Sequence, residues 1–332
     1  MRVLVTGAGG YLGRALVAEL VARGDSVTAV DISADLPADT EQVSWSQLDV
    51  LDAEAVRAVM AGHDLVFHLA AKITLHRRDA AAWRLNTEGA RNVARAALAT
   101  EVARFVHCSS VHSFNTSASG VLTERSSRAV SGTALPLYDR SKYAGEVVLQ
   151  QAINDGLQAV IANPTGVYGP PDASGHLSRM NAMLRNAARG LVPASVAGGF
   201  DWVDVRDVVA GLLQVANVGR VGENYLLGGH PLDIHDALRT AARAAGRRGP
   251  AVKLPHWLVN TIVPLATSIE RRVGSDVLTS ASMSALKWNP VVDHAKAREQ
   301  LGYQVRPSEQ TIRELVAHFV MTGQLDRGRR RV

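Results

Sequence analysis

Residues 3–13 read Val-Leu-Val-Thr-Gly-Ala-Gly-Gly-Tyr-Leu-Gly. An apolar run passes through a glycine turn into a segment where Leu12, Leu16 and Leu20, with Val17 and Val21, share one helical face. A strand that turns directly into a helix commits the chain to a β-α-β crossover and hence to a parallel sheet. Strand-like runs recur at 26–30, 65–69, 104–107 and 158–162, with a weaker one at 43–48, and helical spacing fills the intervals. The runs are nearly continuous in apolar residues, as strands covered on both faces require. The pattern predicts an α/β fold built on a doubly wound parallel sheet.

Beyond Pro164 the pattern loosens. Helices are expected at 177–189, 206–216, 234–245 and 309–322, a strand near 200–203, and a strand at 224–227 that returns to the sheet. The expected division is a Rossmann-type nucleotide-binding domain over 1–165 with the return strand near 224–228. A smaller, interleaved substrate-binding lobe covers 166–325, and a basic tail covers 326–332.

Composition narrows the functional classes. With 332 residues and 47% apolar content the chain can bury a substantial core and is too apolar for disorder. The one cysteine, Cys108, excludes an intrachain disulfide and any cysteine-built metal cage, and no metal site is expected. No apolar run reaches the roughly 18 residues of a membrane span; the longest, 257–269, is broken by Asn260, Thr261 and Pro264. That segment can line a pocket, pack internally or rest on a membrane surface. No secretory signal is read at residues 1–13, so a cytoplasmic protein is expected. Of the net charge of +5, residues 326–332 supply +3 through four arginines and Asp326. Nucleic acid is therefore not an expected partner.

The glycine turn has a chemical use. Gly7, Gly10 and Gly13, spaced three apart with Gly9 between, let the backbone approach a pyrophosphate that rests on the N-terminal amides of the helix opened by Tyr11 and Leu12. Asp31 ends the second strand, 18 residues after Gly13, where a carboxylate accepts from both adenosine ribose hydroxyls and repels a 2′-phosphate. The expected cofactor is NAD rather than NADP. Downstream, Tyr138 and Lys142 are four apart at the start of a helix expected over 141–155, so they share a face. A nearby ammonium favours phenolate and makes tyrosine a usable base. The strand at 104–107 leads to Ser109 and Ser110 at its carboxyl end, the side where open parallel sheets bind ligands. Cys108 reads as a buried strand residue, and His112 as a loop histidine.

With these motifs in hand, the chain resembles the extended short-chain dehydrogenase/reductases, the NAD-dependent epimerase/dehydratase superfamily. The matching elements are Thr6 to Gly13, Asp31, Leu48-Asp49-Val50, His68-Leu69-Ala70-Ala71, Asn86, Ser109-Ser110, Tyr138 to Lys142, Asn163 to Pro170 and Trp202 to Val208. The resemblance spans roughly 1–230. It implies that Asp49 and Val50 contact adenine, that Leu69, Ala70 and Ala71 line the cofactor channel, and that Asn86 lies beneath the nicotinamide. It further implies that Ser110, Tyr138 and Lys142 are catalytic, with Tyr138 and Lys142 also touching cofactor, that Pro164 to Val167 meet the nicotinamide amide, and that His68 is structural. A homodimer on helices near 88–100 and 141–155 is also implied.

The departures select a branch. Ser110 is followed by Val111 and His112, where dehydratases carry an Asp-Glu pair. Phe200 stands where sugar-nucleotide epimerases carry an arginine for the substrate diphosphate, although Arg179 or Arg185 can compensate. Segments 163–167, 199–207 and 225–229, with Leu301-Gly302-Tyr303 and Pro307, resemble the dihydroflavonol reductase and 3β-hydroxysteroid dehydrogenase branch. The expected activity is NAD-dependent interconversion of a secondary alcohol and a ketone on a small apolar ring substrate, steroid-like or flavonoid-like. Met180, Met183, Leu184, Trp202, Trp257 and Leu258 are pocket-wall or core residues. The alternatives are a sugar-nucleotide epimerase or oxidoreductase, and a non-catalytic NAD(H) sensor.

Overall fold

The computed structural model describes residues 1–74, 76, 78–116, 120–130, 135–172, 177–255 and 291–326. Its centre is a seven-stranded, all-parallel sheet. Five strands come in chain order: β1 (Arg2–Thr6), β2 (Ser26–Asp31), β3 (Val43–Gln47), β4 (Leu65–His68) and β5 (Arg104–Cys108). The strands Ala159–Pro164 and Asn224–Leu227 complete it, and the spatial order from that last strand runs through Ala159–Pro164, β5, β4, β1 and β2 to β3. The order reverses between β1 and β4, which opens a crevice at the carboxyl ends of those strands.

Both sheet faces are covered, which is why the strands are apolar on both sides. On one face, Leu16, Val17 and Leu20 of the helix Tyr11–Ala22 pack with Val208, Leu212 and Val215 of the helix Val205–Val218. That second helix comes from the later half of the chain, so the two halves share one core. On the other face, Val93 and Ala97 meet Leu149 and Ala152 of the long helix Leu137–Asn154. The expected strand at 224–227 pairs in parallel with Ala159–Pro164.

A separate core lies in the second half, where Tyr168, Leu184, Trp202, Leu238 and Phe319 are buried together. Leu184 and Trp202 are thus core residues, with Met180 and Met183 packed partly buried against them. Trp257, Leu258, the segment 257–269 and the arginines of the tail lie outside the described residues. The expected helices are present at Arg179–Ala188, Val205–Val218, Ile234–Ala244 and Ser308–Met321. One boundary differs usefully. The long helix starts at Leu137, directly after Pro136, and not at Ser141. Proline cannot extend a helix backward but suits its start, so Tyr138 and Lys142 both lie inside regular helix.

Candidate active site

The glycine turn is folded so tightly that only hydrogen fits at two positions. A Cβ on Gly13 would stand 2.2 Å from the Gly7 carbonyl oxygen, and one on Gly7 would stand 2.6 Å from the Ala70 nitrogen. Gly7 also has φ +72°, in the left-handed region that favours glycine. The Gly9 amide donates to Asp31 Oδ2 at 2.9 Å, and a Cβ on Gly9 would lie 3.0 Å from that carboxyl carbon. Asp31 Oδ1 accepts from the Ser33 amide at 3.0 Å.

Gly10 precedes the helix Tyr11–Ala22 and no side chain caps it, which leaves the first-turn amides of Tyr11, Leu12 and Gly13 for an anion. The cradle, the uncapped helix and the carboxylate at the end of β2 together fit a dinucleotide. Arg14 closes the turn, with Nε on the Gly9 carbonyl and its guanidinium over the Trp45 ring. Tyr11 turns outward from the glycines, and its hydroxyl donates to the Gly169 carbonyl at 2.5 Å.

The remaining cofactor candidates frame this crevice. Asp49 accepts from the Leu51 amide, while the Val50 carbonyl accepts from Asn92 and the Val50 side chain is buried against Gly89. The Leu69 amide continues the sheet by donating to Thr6, and the Ala70 backbone abuts Gly7, with Ala71 next in the chain. Pro164 ends its strand at the same edge, and Val167 pairs with Val203 just beyond.

Asn86 sits in a π-helical turn, Leu85–Gly89, a geometry often found at functional sites. Its carboxamide is fully engaged: Oδ1 accepts from Lys72 N, and Nδ2 donates to Lys72 O and to Ser141 Oγ. Ser141 Oγ in turn donates to the Tyr138 carbonyl. Asn86 therefore ties the turn after the channel to the first turn of the long helix.

Ser110, Tyr138 and Lys142 converge at the carboxyl end of β5. Ser110 is buried, and its hydroxyl accepts from the His112 amide on the side of the site where it favours the Tyr138 phenolate. Lys142 is buried and Nζ donates to the Cys108 carbonyl at 3.0 Å. Burial lowers its pKa to about 8, so it is still mainly ammonium at neutral pH. Burial raises Tyr138 well above the usual tyrosine value, opposed by the Ser110 hydrogen bond and reinforced by Cys108 and Asp139. The ammonium thus rests on the strand carbonyl beside the tyrosine rather than on the phenol itself. Burial likewise pushes the Cys108 thiol up to about 11, so it is neutral and unreactive.

Glu146 and His107 were not singled out from sequence, and His68 was expected only as a structural residue. Glu146, one further turn along the helix from Lys142, is buried and accepts from Ser109 Oγ, Asn163 Nδ2 and Asn224 Nδ2 while pairing with Arg128. Its signal was the spacing: 138, 142 and 146 form one polar stripe on the helix. Beneath the site, the fully buried imidazoles of His68 and His107 stack at 5.3 Å, and His68 Nδ1 bonds Thr6 Oγ1 at 2.7 Å. No cluster of residues suited to a metal ion is found among the described residues.

Phe200 stacks on Trp202 at 5.1 Å, and a Cβ on Gly166 would meet its ring at 2.6 Å. Arg185 reaches Gln324 Oε1, and Arg189 donates twice to the Gln324 carbonyl. Arg185 therefore serves the C-terminal segment. Asn181 is also committed, to Gly169 and Asp172.

The chain is similar to known proteins over almost its whole length. Sterol demethylase protein B of Methylococcus capsulatus is 30% identical over 98% of this chain and 100% of its own length. A Mycobacterium tuberculosis 3β-hydroxysteroid dehydrogenase/Δ5→4-isomerase is 26% identical over 96% of this chain and 90% of its own. The crystal structure of gox2253 superposes with a TM-score of 0.79 at 27% identity, covering 98% of this chain and 99% of that one. UDP-glucose 4-epimerase from Thermotoga maritima shares the fold, with a TM-score of 0.78 at 21% identity over 97% and 99% of the two chains. The model of the NAD dependent epimerase/dehydratase family matches residues 3–228, from β1 through the return strand. The chain belongs to that family and is an enzyme of the extended short-chain dehydrogenase/reductase type, with NAD as its cofactor.

Proposed function

We propose that this enzyme interconverts a secondary alcohol and a ketone on an apolar ring substrate, steroid-like or flavonoid-like, with Ser110, Tyr138 and Lys142 handling the proton. The observation that carries the reading is the apolar stack of Phe200 and Trp202 over Gly166, where a diphosphate-bearing substrate would need a cation. The engagement of Arg185 with Gln324 supports it. So do the sterol- and steroid-directed names of full-length relatives.

In oxidation, Tyr138 takes the hydroxyl proton of the substrate while Ser110 holds the same oxygen. In reduction Tyr138 returns the proton, and burial favours this protonated form. Lys142 supplies positive charge beside the phenol and would hold the nicotinamide ribose of bound NAD. NAD, when bound, supplies the hydride-accepting ring and its positive charge. The lobe over 166–325 selects the substrate, and Asp31 selects NAD over NADP.

The homodimer contact is the face shared by the helices Ala90–Ala99 and Leu137–Asn154. There a groove of about 530 Å³ is lined by Trp83, Thr87, Tyr143, Val147 and Gln151. Val147 is 44% exposed in it.

A sugar-nucleotide epimerase or oxidoreductase is the second reading, favoured by exposed Arg179 at the first turn of Arg179–Ala188. Reduced-nicotinamide absorbance across hydroxysteroids, flavonoids, simple secondary alcohols and UDP-sugars, each with NAD and NADP, separates the two. Turnover is expected with the ring substrates and NAD. Turnover confined to UDP-sugars sinks the primary reading, and a preference for NADP sinks the role given to Asp31.

A further inference from the structure

Directly after Ser110, the short 3₁₀ turn Val111–Ser113 carries His112 back over the long helix. Its backbone amide donates to Ser110 Oγ at 3.2 Å, the hydroxyl that favours the Tyr138 phenolate. Its ring stands at 61° to the Tyr138 ring with centroids 5.6 Å apart. Its Nδ1 is buried and lies 3.2 Å from Asp139 Oδ1, an ion-pair contact without hydrogen-bond alignment, while the side chain as a whole keeps 40% exposure. Asp139 is buried in the first turn of the helix, where unpaired amides and the helix dipole favour a carboxylate.

This arrangement answers an electrostatic problem. A buried anion one residue from Tyr138 opposes ionisation of the phenol, and Asp139 does act in that direction. The other charged groups near this corner are Lys142, held on the Cys108 carbonyl, Glu146, neutralised by Arg128, and Arg140, whose Nε is turned onto the Leu135 carbonyl. The thiol of Cys108 is neutral. Only His112 faces Asp139 directly among the described residues. Burial works against charge on the imidazole, but the Asp139 carboxylate outweighs it and holds the pKa above the ordinary histidine value.

We propose that His112 is a positioning residue for Tyr138: paired with Asp139, its imidazolium cancels the field of that carboxylate at the phenol and so permits the phenolate. The inference rests on the reading of Tyr138 as the proton-handling group, and it assigns the base a dedicated electrostatic partner.

The test follows phenolate absorbance against pH, with Tyr138 isolated as the difference between each protein and its Tyr138→Phe counterpart, with and without NAD. His112→Gln is expected to move the Tyr138 transition upward by about one pH unit. It should also lower the oxidation rate at pH 7 by about tenfold, with the KM for NAD unchanged. Asp139→Asn added to His112→Gln removes the opposing anion and should move the transition back, which a merely structural clamp would not do. An unmoved transition in folded His112→Gln, or no recovery in the double variant, overturns the proposal. Should His112→Gln alone fail to fold, a double variant that folds and still titrates above the wild-type protein overturns it equally. Failure of the underlying reading looks different: Tyr138→Phe then retains full turnover, whatever His112 does.

Discussion

The glycine cradle and the corner around Tyr138 face the same crevice but are built by opposite means. The cradle works through missing side chains: Gly7 and Gly13 make room by having no Cβ. The corner works through buried side chains that satisfy one another, from Asn86 and Ser141 to Ser110, Tyr138 and Lys142. A cradle of this kind tolerates no addition, whereas a buried polar corner tolerates no subtraction. The two should therefore fail differently when altered, the first in cofactor affinity and the second in turnover.

The largest separation is expected from Tyr138→Phe, which keeps the ring and removes the proton carrier. Turnover should fall about a thousandfold, while NAD affinity, measured by fluorescence quenching, stays within about twofold. Equal losses in both quantities would break the division between the two regions.

A second prediction concerns the imidazoles that join them. His68 bonds Thr6 at the end of β1, and His107 stacks on it beside Lys142. Burial, aided by Lys142, lowers His68 from 6.5 to about 3 and drives His107 well below its usual value. The folded-state value lies below the unfolded one, so the stability from keeping His68 neutral is present above pH 6.5 and is lost as pH falls toward 3. Urea denaturation should show a loss of about 1.4 kcal/mol per pH unit from this group below 6.5. The slope should flatten in His68→Asn. An unchanged slope would mean that the ring is already charged in the native state.

The smallest effect is expected in the cradle itself. Gly13→Ala forces a Cβ against the Gly7 carbonyl, and overpacking against backbone costs about 1–3 kcal/mol. Equilibrium binding should show NAD affinity lowered about tenfold, with turnover at saturating NAD nearly retained. A selective loss of turnover would erase the contrast drawn above.

The same contrast explains what could be read from sequence. The cradle is written in residue type, because glycine at 7, 10 and 13 after an apolar run has few other uses. The strands and long helices were also legible, since both sheet faces are buried and their apolar periodicity is unbroken. The corner is written in tertiary relations. The pairing of His112 with Asp139 joins residues 27 apart, and that of Glu146 with Asn224 joins residues 78 apart. No local spacing announces either. The π-helical turn at Leu85–Gly89 was hidden because its sequence pattern reads as ordinary helix. The strands Ala194–Val196 and Val252–Leu254 are too short to carry a period. The long helix begins at Leu137 rather than 141 because Pro136 sets its boundary, and Ser141 instead holds the Tyr138 carbonyl.

The return strand Asn224–Leu227 has a consequence for how the protein is made. It covers the edge of Ala159–Pro164, and Asn224 then bonds both Asn163 and Glu146. During synthesis, that edge stands open until some sixty further residues have left the ribosome. An apolar strand with unpaired amides is a template for another nascent chain. Ribosome-stalled chains ending near residue 200 should therefore be the form most dependent on chaperones, and release should coincide with the arrival of Leu227.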